Sequence, residues 1–296
     1  WTFRLNDNNE LALEGVFEPA GNPVRIQQAG DRLLVASDWG GLRVLDARNT
    51  PEFDEIGSLS PAAEAWAIVI EGETAYLPDG HNGLRILDVA DPSQPREIAH
   101  IPTLSFARAL ALHEQRLYVA YDAGGIHEFD ISIPAQPRLT QSVATPGPAT
   151  DVAVSGEFIL VTASSEGLLL YARDNLAAGP YSQFDEPSNA ESLLTFGGLA
   201  YVGDRARRRV WVIDLRNPAA PSSVGFLTSE APPVDLSFDG RYLAVAEIDR
   251  GFTLFDLREG AAPLSANRFR RTGRMQSVFL AGNLAFLADE RFGLRI

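Results

Sequence analysis

Arginines that could bind an anion are concentrated in the second half of the chain. They occur in a few short stretches and comprise Arg205, Arg207, Arg208, Arg209, Arg250, Arg268, Arg270, Arg271, Arg274 and Arg291. A guanidinium group binds a carboxylate or a phosphate through two parallel hydrogen bonds. Because the chain carries a formal net charge of −14, this clustering predicts a docking patch for an anionic partner. The alternative is a solvated rim with local ion pairs to Glu247, Asp249 and Glu290, each worth about 0–1 kcal/mol.

Two aromatic residues, Trp39 and Phe292, fall in loops that the repeat described below places near these arginines. Aromatic and arginine side chains together are typical of the residues that dominate binding energy in protein interfaces. The alternative is that each ring folds over its neighbouring sheet as part of the packing. The two aromatics therefore belong to the same predicted partner-binding set as the arginines.

A second possible chemistry is cation binding by carboxylates that recur at similar places along the chain, namely Asp38, Asp79, Asp122, Asp204, Glu247 and Asp289. A ring of carboxylates could hold a hard cation such as Ca²⁺. However, these positions shift by one or two residues between repeats, which favours turn-forming residues whose side chains accept local backbone N–H groups. The four histidines show no metal-ligand spacing. We therefore expect neither a metal ion nor a cofactor.

Several function classes are excluded by composition or by missing motifs. The chain has no cysteine and its basic residues are all arginine, which removes disulfides, cysteine nucleophiles and the lysine of a P-loop. No GxSxG nucleophile turn is present, and the negative net charge argues against nucleic acid as the main partner. No apolar run reaches the roughly 18 residues that span a bilayer. The sequence therefore favours a non-enzymatic function.

A repeat of 42 residues organises the chain. Glycines recur at this spacing, at Gly41, Gly83, Gly125, Gly167, Gly251 and Gly293. Arg209 occupies the one missing position, and apolar residues followed by aspartate keep the same register. If Arg209 retains the backbone conformation of the glycines, we expect it to adopt a positive φ at an energetic cost.

Each repeat has the pattern of four short strands. In the second copy we predict strands over Ala67–Ile70, Thr74–Leu77, Leu84–Leu87 and Arg96–Ile101. Glu71-Gly72-Glu73 forms the first turn, and Asp91-Pro92 breaks the ladder before the last strand. No stretch has a 3.6-residue apolar period, so helices should be nearly absent. Four-stranded sheets that recur about every 40 residues are typical of a β-propeller.

The ends of the chain predict how the ring closes. Seven copies of 42 residues nearly fill the 296 residues, so we expect one domain, a seven-bladed propeller with four-stranded blades. Residues 22–274 form blades one to six, and residues 275–296 supply the inner strands of the seventh blade. Residues 1–21 complete that blade, with Glu10–Phe17 as its outer strand. Residues 1–7 either duplicate part of the third strand or cover the edge.

The repeat strings GLRVLD (Gly41–Asp46), GLRILDVADPSQP (Gly83–Pro95) and VWVIDLRNPAAP (Val210–Pro221) resemble the LVIVD-repeat family of bacterial and archaeal proteins. The resemblance covers essentially the whole chain and implies a β-propeller. It also implies a protein that is exported, periplasmic or at the cell surface, and it brings no catalytic motif. The fourth copy departs most, since Gly167–Ala172 lacks both the arginine and the aspartate.

Alternating strand directions place the loops between second and third strands, together with the blade-to-blade connections, on one face, which we call the upper face. We predict a protein-interaction or scaffold module that docks another protein or an anionic surface through this arginine-rich face. An alternative is an enzyme or small-ligand-binding propeller with its site at the mouth of the central channel. A third is a purely architectural domain of a larger surface protein.

Overall fold

The computed structural model describes residues 3–5, 11–13, 16–48, 53–60, 64–103, 105–263, 267–270, 273–282, 284–290 and 293–295. These residues form an all-β fold without an α-helix, and their only helical segments are two 3₁₀ turns, Leu176–Ala178 and Leu257–Glu259. None of the described helices has the length and apolar character needed to cross a membrane.

Thirty strands are numbered here in chain order. Three short strands come first: β1 (Phe3–Leu5), β2 (Leu11–Leu13) and β3 (Val16–Phe17). Blades one to three then follow: β4 (Arg25–Ala29), β5 (Arg32–Ser37), β6 (Gly41–Asp46), β7 (Asp54–Leu59); β8 (Val69–Glu71), β9 (Thr74–Pro78), β10 (Leu84–Asp88), β11 (Arg96–Ile101); β12 (Ala109–His113), β13 (Arg116–Ala120), β14 (Ile126–Asp130), β15 (Arg138–Val143).

Blades four to six continue in the same way: β16 (Asp151–Ser155), β17 (Phe158–Thr162), β18 (Leu168–Ala172), β19 (Ser182–Phe184); β20 (Ala190–Phe196), β21 (Leu199–Asp204), β22 (Arg209–Asp214), β23 (Ser222–Thr228); β24 (Pro233–Phe238), β25 (Tyr242–Glu247), β26 (Gly251–Asp256), β27 (Asn267–Arg270). The last strands are β28 (Met275–Ala281), β29 (Leu284–Asp289) and β30 (Gly293–Arg295). Within each blade every strand pairs antiparallel with the next one along the chain.

The predicted strands of the second repeat agree closely with β8 to β11. The fourth strand has the predicted bounds, and the first is shorter because it begins at Val69 rather than Ala67. Gly72 forms the turn between β8 and β9 at a φ of 58°, a conformation that glycine adopts without steric cost. Local sequence therefore determines the blade interior.

The prediction of seven four-stranded blades is wrong. The described residues form a propeller with six four-stranded blades, and the strands at both ends of the chain form a separate six-stranded sheet, here called the terminal sheet. It contains β1, β2, β3, β28, β29 and β30. The count by repeat length failed because the strands of this sheet come from two ends of the chain, so its composition does not follow the 42-residue unit.

Strand β29 is the centre of the terminal sheet. Strand β28 pairs along one edge of it, while β30 pairs with Leu287–Asp289 and β1 with Leu284 and Ala285. Because a strand has only two edges, β1 and β30 lie end to end along the same edge of β29. The outer row is also divided, with β2 on β1 and β3 on β30. Instead of one outer strand over Glu10–Phe17, two short strands occupy this row, and Glu10 lies outside the described residues.

The hydrophobic core lies between neighbouring sheets. The described residues contain seven buried apolar clusters, one at each junction. The terminal sheet packs against the sixth blade through Val278 and Leu254 and against the first blade through Phe286 and Leu33. Burial of apolar area stabilises by about 25 cal/mol per Å², so these junctions hold the loops of the upper face in fixed relative positions.

Candidate functional site

The turn between β21 and β22 carries three of the predicted arginines. Arg205 donates from Nη1 to Oε2 of Glu191 at 2.7 Å. Arg207 donates to the carbonyl oxygen of Glu186 and also lies near the buried Asp204. Arg208 is exposed and has a φ of 52°. Among the described residues no carboxylate forms an ion pair with Arg208, so its charge is open to solvent.

Arg209 does not have the expected positive φ, because the left-handed conformation falls on Arg208 instead. Arg209 begins β22 and pairs with Asp204 across a four-residue turn, so the strain expected at position 209 is carried one residue earlier. The Arg209 guanidinium lies 4.2 Å from the ring centroid of Phe226 and 5.3 Å from that of Trp211. These distances are typical of cation–π contacts.

The arginines of the sixth blade surround Glu230. Arg270 donates from Nε to Oε2 of Glu230 at 2.9 Å, and Arg268 lies 3.5 Å from the same carboxylate. The hydrogen bond from Arg270 and the nearby positive charges hold the pKa of Glu230 below its usual range. Arg250 is exposed, and it forms no ion pair within 4.0 Å in the part of the chain that the structure describes. Arg274 pairs with Glu290 at 3.1 Å.

The remaining predicted partner-binding residues divide into one described residue and three that are not. Trp39 is 62% exposed in the turn between β5 and β6, which is a large apolar area on the upper face. Arg271, Arg291 and Phe292 lie outside the described residues. The described arginines of this set are those of the fifth and sixth blades and of the connection to the terminal sheet.

The carboxylates considered for cation binding hold loop backbone. Asp204 accepts the backbone N–H groups of Ser188 and Arg207 at 3.1 and 3.2 Å. Asp289 accepts that of Arg274 at 3.2 Å. Asp38, Asp79 and Asp122 occupy the corresponding turns of blades one to three. Within the described ranges no three histidine or acidic side chains converge in a way that could hold a metal ion.

A cavity of about 250 Å³ lies where the upper ends of the innermost strands meet at the central channel. Its lining comes from every blade and from the terminal sheet: Val24, Arg25, Trp66, Arg108, Ala109, Thr150, Asp151, Glu191, Arg205, Val234, Ile248, Arg274 and Gln276. Of these, only Arg205 and Arg274 belong to the predicted set. The signal for the rest was present in the repeat, since the column that contains Arg25, Asp151 and Asp235 is alanine in two other copies.

Opposite charges meet beside this cavity. Arg25 of β4 donates to Oδ1 of Asp235 on β24, 210 residues away in sequence. Asp151 is buried, and its two carboxylate oxygens accept the backbone N–H groups of Val152 at 2.8 Å and Leu193 at 2.9 Å. Burial raises the pKa of Asp151 to about 6, although Arg25 opposes the rise. The mouth of the channel therefore combines guanidinium groups with a carboxyl group that titrates near neutral pH.

Comparisons with solved structures show the fold alone. A chain of the crystal structure of a mitotic checkpoint complex superposes with a TM-score of 0.78 at 10% identity, covering 96% of this chain and 93% of that one. The crystal structure of the computationally designed Ika8 protein gives a TM-score of 0.68 at 9% identity, with 96% and 99% coverage. No curated protein matches the chain significantly in sequence.

The family is established by the repeats themselves. The model of the LVIVD repeat matches residues 62–103, 106–145, 146–170 and 187–228, together about half of the chain. These matches cover blades two to five, whose strands and connecting turns have been described above. The six four-stranded blades and their recurring glycine turns agree with that assignment, and the chain belongs to the LVIVD-repeat family.

Proposed function

We propose that this propeller is a docking module that binds an acidic segment of a partner protein through the arginine-rich part of its upper face. The observation that carries the proposal is the pair of exposed guanidinium groups of Arg208 and Arg250, which lack an ion-pair partner within the described residues. An exposed cation on a protein of net charge −14 is poorly explained by stability alone, since its surroundings offer ample carboxylate.

The stacked group beside these arginines supports a protein partner. Phe226 is 44% exposed, and the guanidinium of Arg209 lies over its ring. Trp211 lies beneath, with its Nε1 donating to Asp204 at 3.2 Å. A rigid aromatic and arginine surface of this kind is enriched at the centres of protein interfaces. An anionic membrane is disfavoured as the partner, because the remaining surface of the protein is strongly negative.

The proposal is tested with a fluorescein-labelled peptide of alternating glutamate and aspartate residues that contains one tyrosine. Fluorescence anisotropy at low salt measures its binding to the wild-type protein and to the variant Arg207→Glu/Arg208→Glu/Arg250→Glu. We expect saturable binding that weakens as salt is added, and a loss of affinity of about tenfold or more in the triple variant. A matched control reverses three lower-face arginines instead, in the variant Arg96→Glu/Arg138→Glu/Arg216→Glu.

Three outcomes contradict the proposal. The wild-type protein could fail to bind the peptide, both triple variants could weaken binding equally, or the protein could bind phosphatidylserine vesicles in preference to the peptide. Because Arg207 also donates to the carbonyl oxygen of Glu186, thermal melting of both triple variants has to show that they fold. The double variant Arg208→Glu/Arg250→Glu leaves that contact intact and retains most of the expected loss of affinity.

We further propose that the module works outside the cytoplasm, in the periplasm or at the cell surface. The support is membership of a repeat family whose resemblance implies export, and the absence of cysteine is compatible with an oxidising compartment. Fractionation of the producing cells followed by immunoblotting tests this. Recovery of the protein mainly with cytoplasmic markers would contradict it.

A further inference from the structure

The cavity at the mouth of the central channel contains a guanidinium group that the fold does not use. Arg108 precedes β12, and its side chain lines the cavity. The buried Nε atom of Arg108 has no hydrogen-bond partner. Among the described residues its guanidinium forms neither a hydrogen bond nor an ion pair. Its recorded neighbour is the Phe106 ring, whose centroid lies 6.0 Å away. Since a buried, unpaired polar group is costly, this group points to a ligand.

The other three arginines of the lining are already paired. Arg25 binds Asp235, Arg205 binds Glu191 at 2.7 Å, and Arg274 binds Glu290 at 3.1 Å. The remaining lining carboxylate, Asp151, accepts two backbone N–H groups. One unmatched positive charge therefore remains, that of Arg108, which suits a ligand with a single negative charge better than a phosphate dianion.

The wall next to Arg108 is apolar and aromatic. Trp66, Ala109, Val234 and Ile248 line the same cavity. The Trp66 ring packs edge-on against Phe106 with 5.3 Å between centroids, and its Nε1 donates to Glu64 at 3.1 Å. The polar atom of this indole is thus already engaged. Concave sites that combine an apolar wall with one charged anchor bind small organic molecules.

We propose that the channel mouth binds a small organic monocarboxylate with an aromatic or apolar body, and that Arg108 pairs with its carboxylate while Trp66 packs against its body. This site is separate from the docking surface of Arg208 and Arg250, because it lies inside the channel mouth and uses different side chains. Either proposal can therefore fail without the other.

Benzoate is the probe for this site. Isothermal titration calorimetry measures its dissociation constant with the wild-type protein, with Arg108→Gln and with the control Arg96→Gln, which removes an exposed arginine of β11. We expect benzoate to bind about tenfold or more weakly to Arg108→Gln than to the wild type, and equally to the wild type and the control. Benzyl alcohol, which lacks the charge, should bind the wild type and Arg108→Gln with the same low affinity.

A second readout uses the intrinsic fluorescence of Trp66. Benzoate should change the tryptophan emission of the wild-type protein, and Trp66→Phe should lose most of that change. If Arg108→Gln does not fold, Arg108→Lys retains the charge without the two-pronged donor, and it should bind benzoate several-fold more weakly than the wild type. Equal affinity in the wild type and the Arg108 variant, no saturable binding to the wild type, or tighter binding of inorganic phosphate than of benzoate would overturn the proposal.

Discussion

Asp151 accepts the backbone N–H of Leu193, the residue one full repeat later in the chain, at 2.9 Å. Asp235 has the same relationship with Val278 at 3.1 Å. Each carboxylate lies on the innermost strand of one blade and binds the innermost strand of the next sheet, where an edge N–H would otherwise face the channel unpaired. Side chains of a single repeat column therefore connect successive sheets around the channel.

The buried carboxyl group of Asp151 should make stability depend on pH. Burial raises its pKa to about 6 from 3.8, so between these pH values the folded state binds more protons than the unfolded chain. The free energy of unfolding therefore falls as pH rises through this interval and stays lower above pH 6. The full effect is about 3 kcal/mol at most. Urea unfolding between pH 4.5 and 8 measures it.

Asp151→Asn is the matched variant for this prediction, because an amide oxygen can still accept one backbone N–H but does not titrate. The difference in unfolding free energy, variant minus wild type, should rise between pH 4.5 and 7.5. Using the difference is essential, since arginine hydrogen bonds lower the pKa of Asp46 and Asp214 to about 2, and their pH dependence is common to both proteins. A difference that does not vary with pH would contradict the assignment.

The ion pair of Arg25 and Asp235 should respond unequally to loss of either partner. Asp235 has a side chain only 4% exposed, whereas that of Arg25 is 30% exposed. Arg25→Gln leaves a buried charge unpaired and should cost about 2–3 kcal/mol of unfolding free energy, a value reduced because Arg25 is partly solvated. Asp235→Asn leaves a cation that can reach water and should cost about 1 kcal/mol.

A double-mutant cycle measures the coupling. Arg25→Gln/Asp235→Asn should be more stable than the sum of the single effects predicts, because the amide pair carries no buried charge. Costs that add within the error of urea unfolding would show that the two side chains do not interact energetically.

The blade interior could be predicted from sequence because its determinants are local. The start of β9 at Thr74, the bounds of β11 and the glycine turns follow from alternation and turn residues within one 42-residue unit. The terminal sheet could not be predicted in the same way. Its strands β1 and β30 share an edge of β29, and this arrangement depends on the meeting of two chain ends rather than on any local pattern.

The arginine loops were predicted as candidates, but the channel mouth was overlooked. Arg108 and Trp66 occupy the same repeat position, 42 residues apart, and a comparison of that column would have revealed two unusual side chains at the axis. What no sequence pattern could give is the accounting of partners, since Arg205 and Glu191 pair while Arg108 does not. That distinction depends on tertiary distances.

The glycine column predicts an unequal cost for two substitutions by alanine. Gly125 has a φ of 76°, and a Cβ built there lies 2.1 Å from the carbonyl oxygen of Val143. Gly156 has a φ of 57° in the turn between β16 and β17, with open space around it. Gly156→Ala should therefore cost about 1 kcal/mol from backbone strain alone, and Gly125→Ala about 3 kcal/mol because a strand must also move. Urea unfolding of the two variants gives the comparison, and equal losses would show that steric approach does not explain the column.

Arg208 is the position where binding and stability should oppose each other. Its φ of 52° is unfavourable for a residue with a side chain, so Arg208→Gly should raise the unfolding free energy by up to about 1 kcal/mol. The same change removes an exposed guanidinium and should weaken binding of the acidic peptide several-fold. Arg208→Ala separates the two effects, because alanine loses the charge but retains most of the strain, and it should weaken binding equally without a gain in stability. If glycine and alanine gave the same stability, the strain at this turn would be refuted; if both bound the peptide as well as arginine does, Arg208 would have no part in docking.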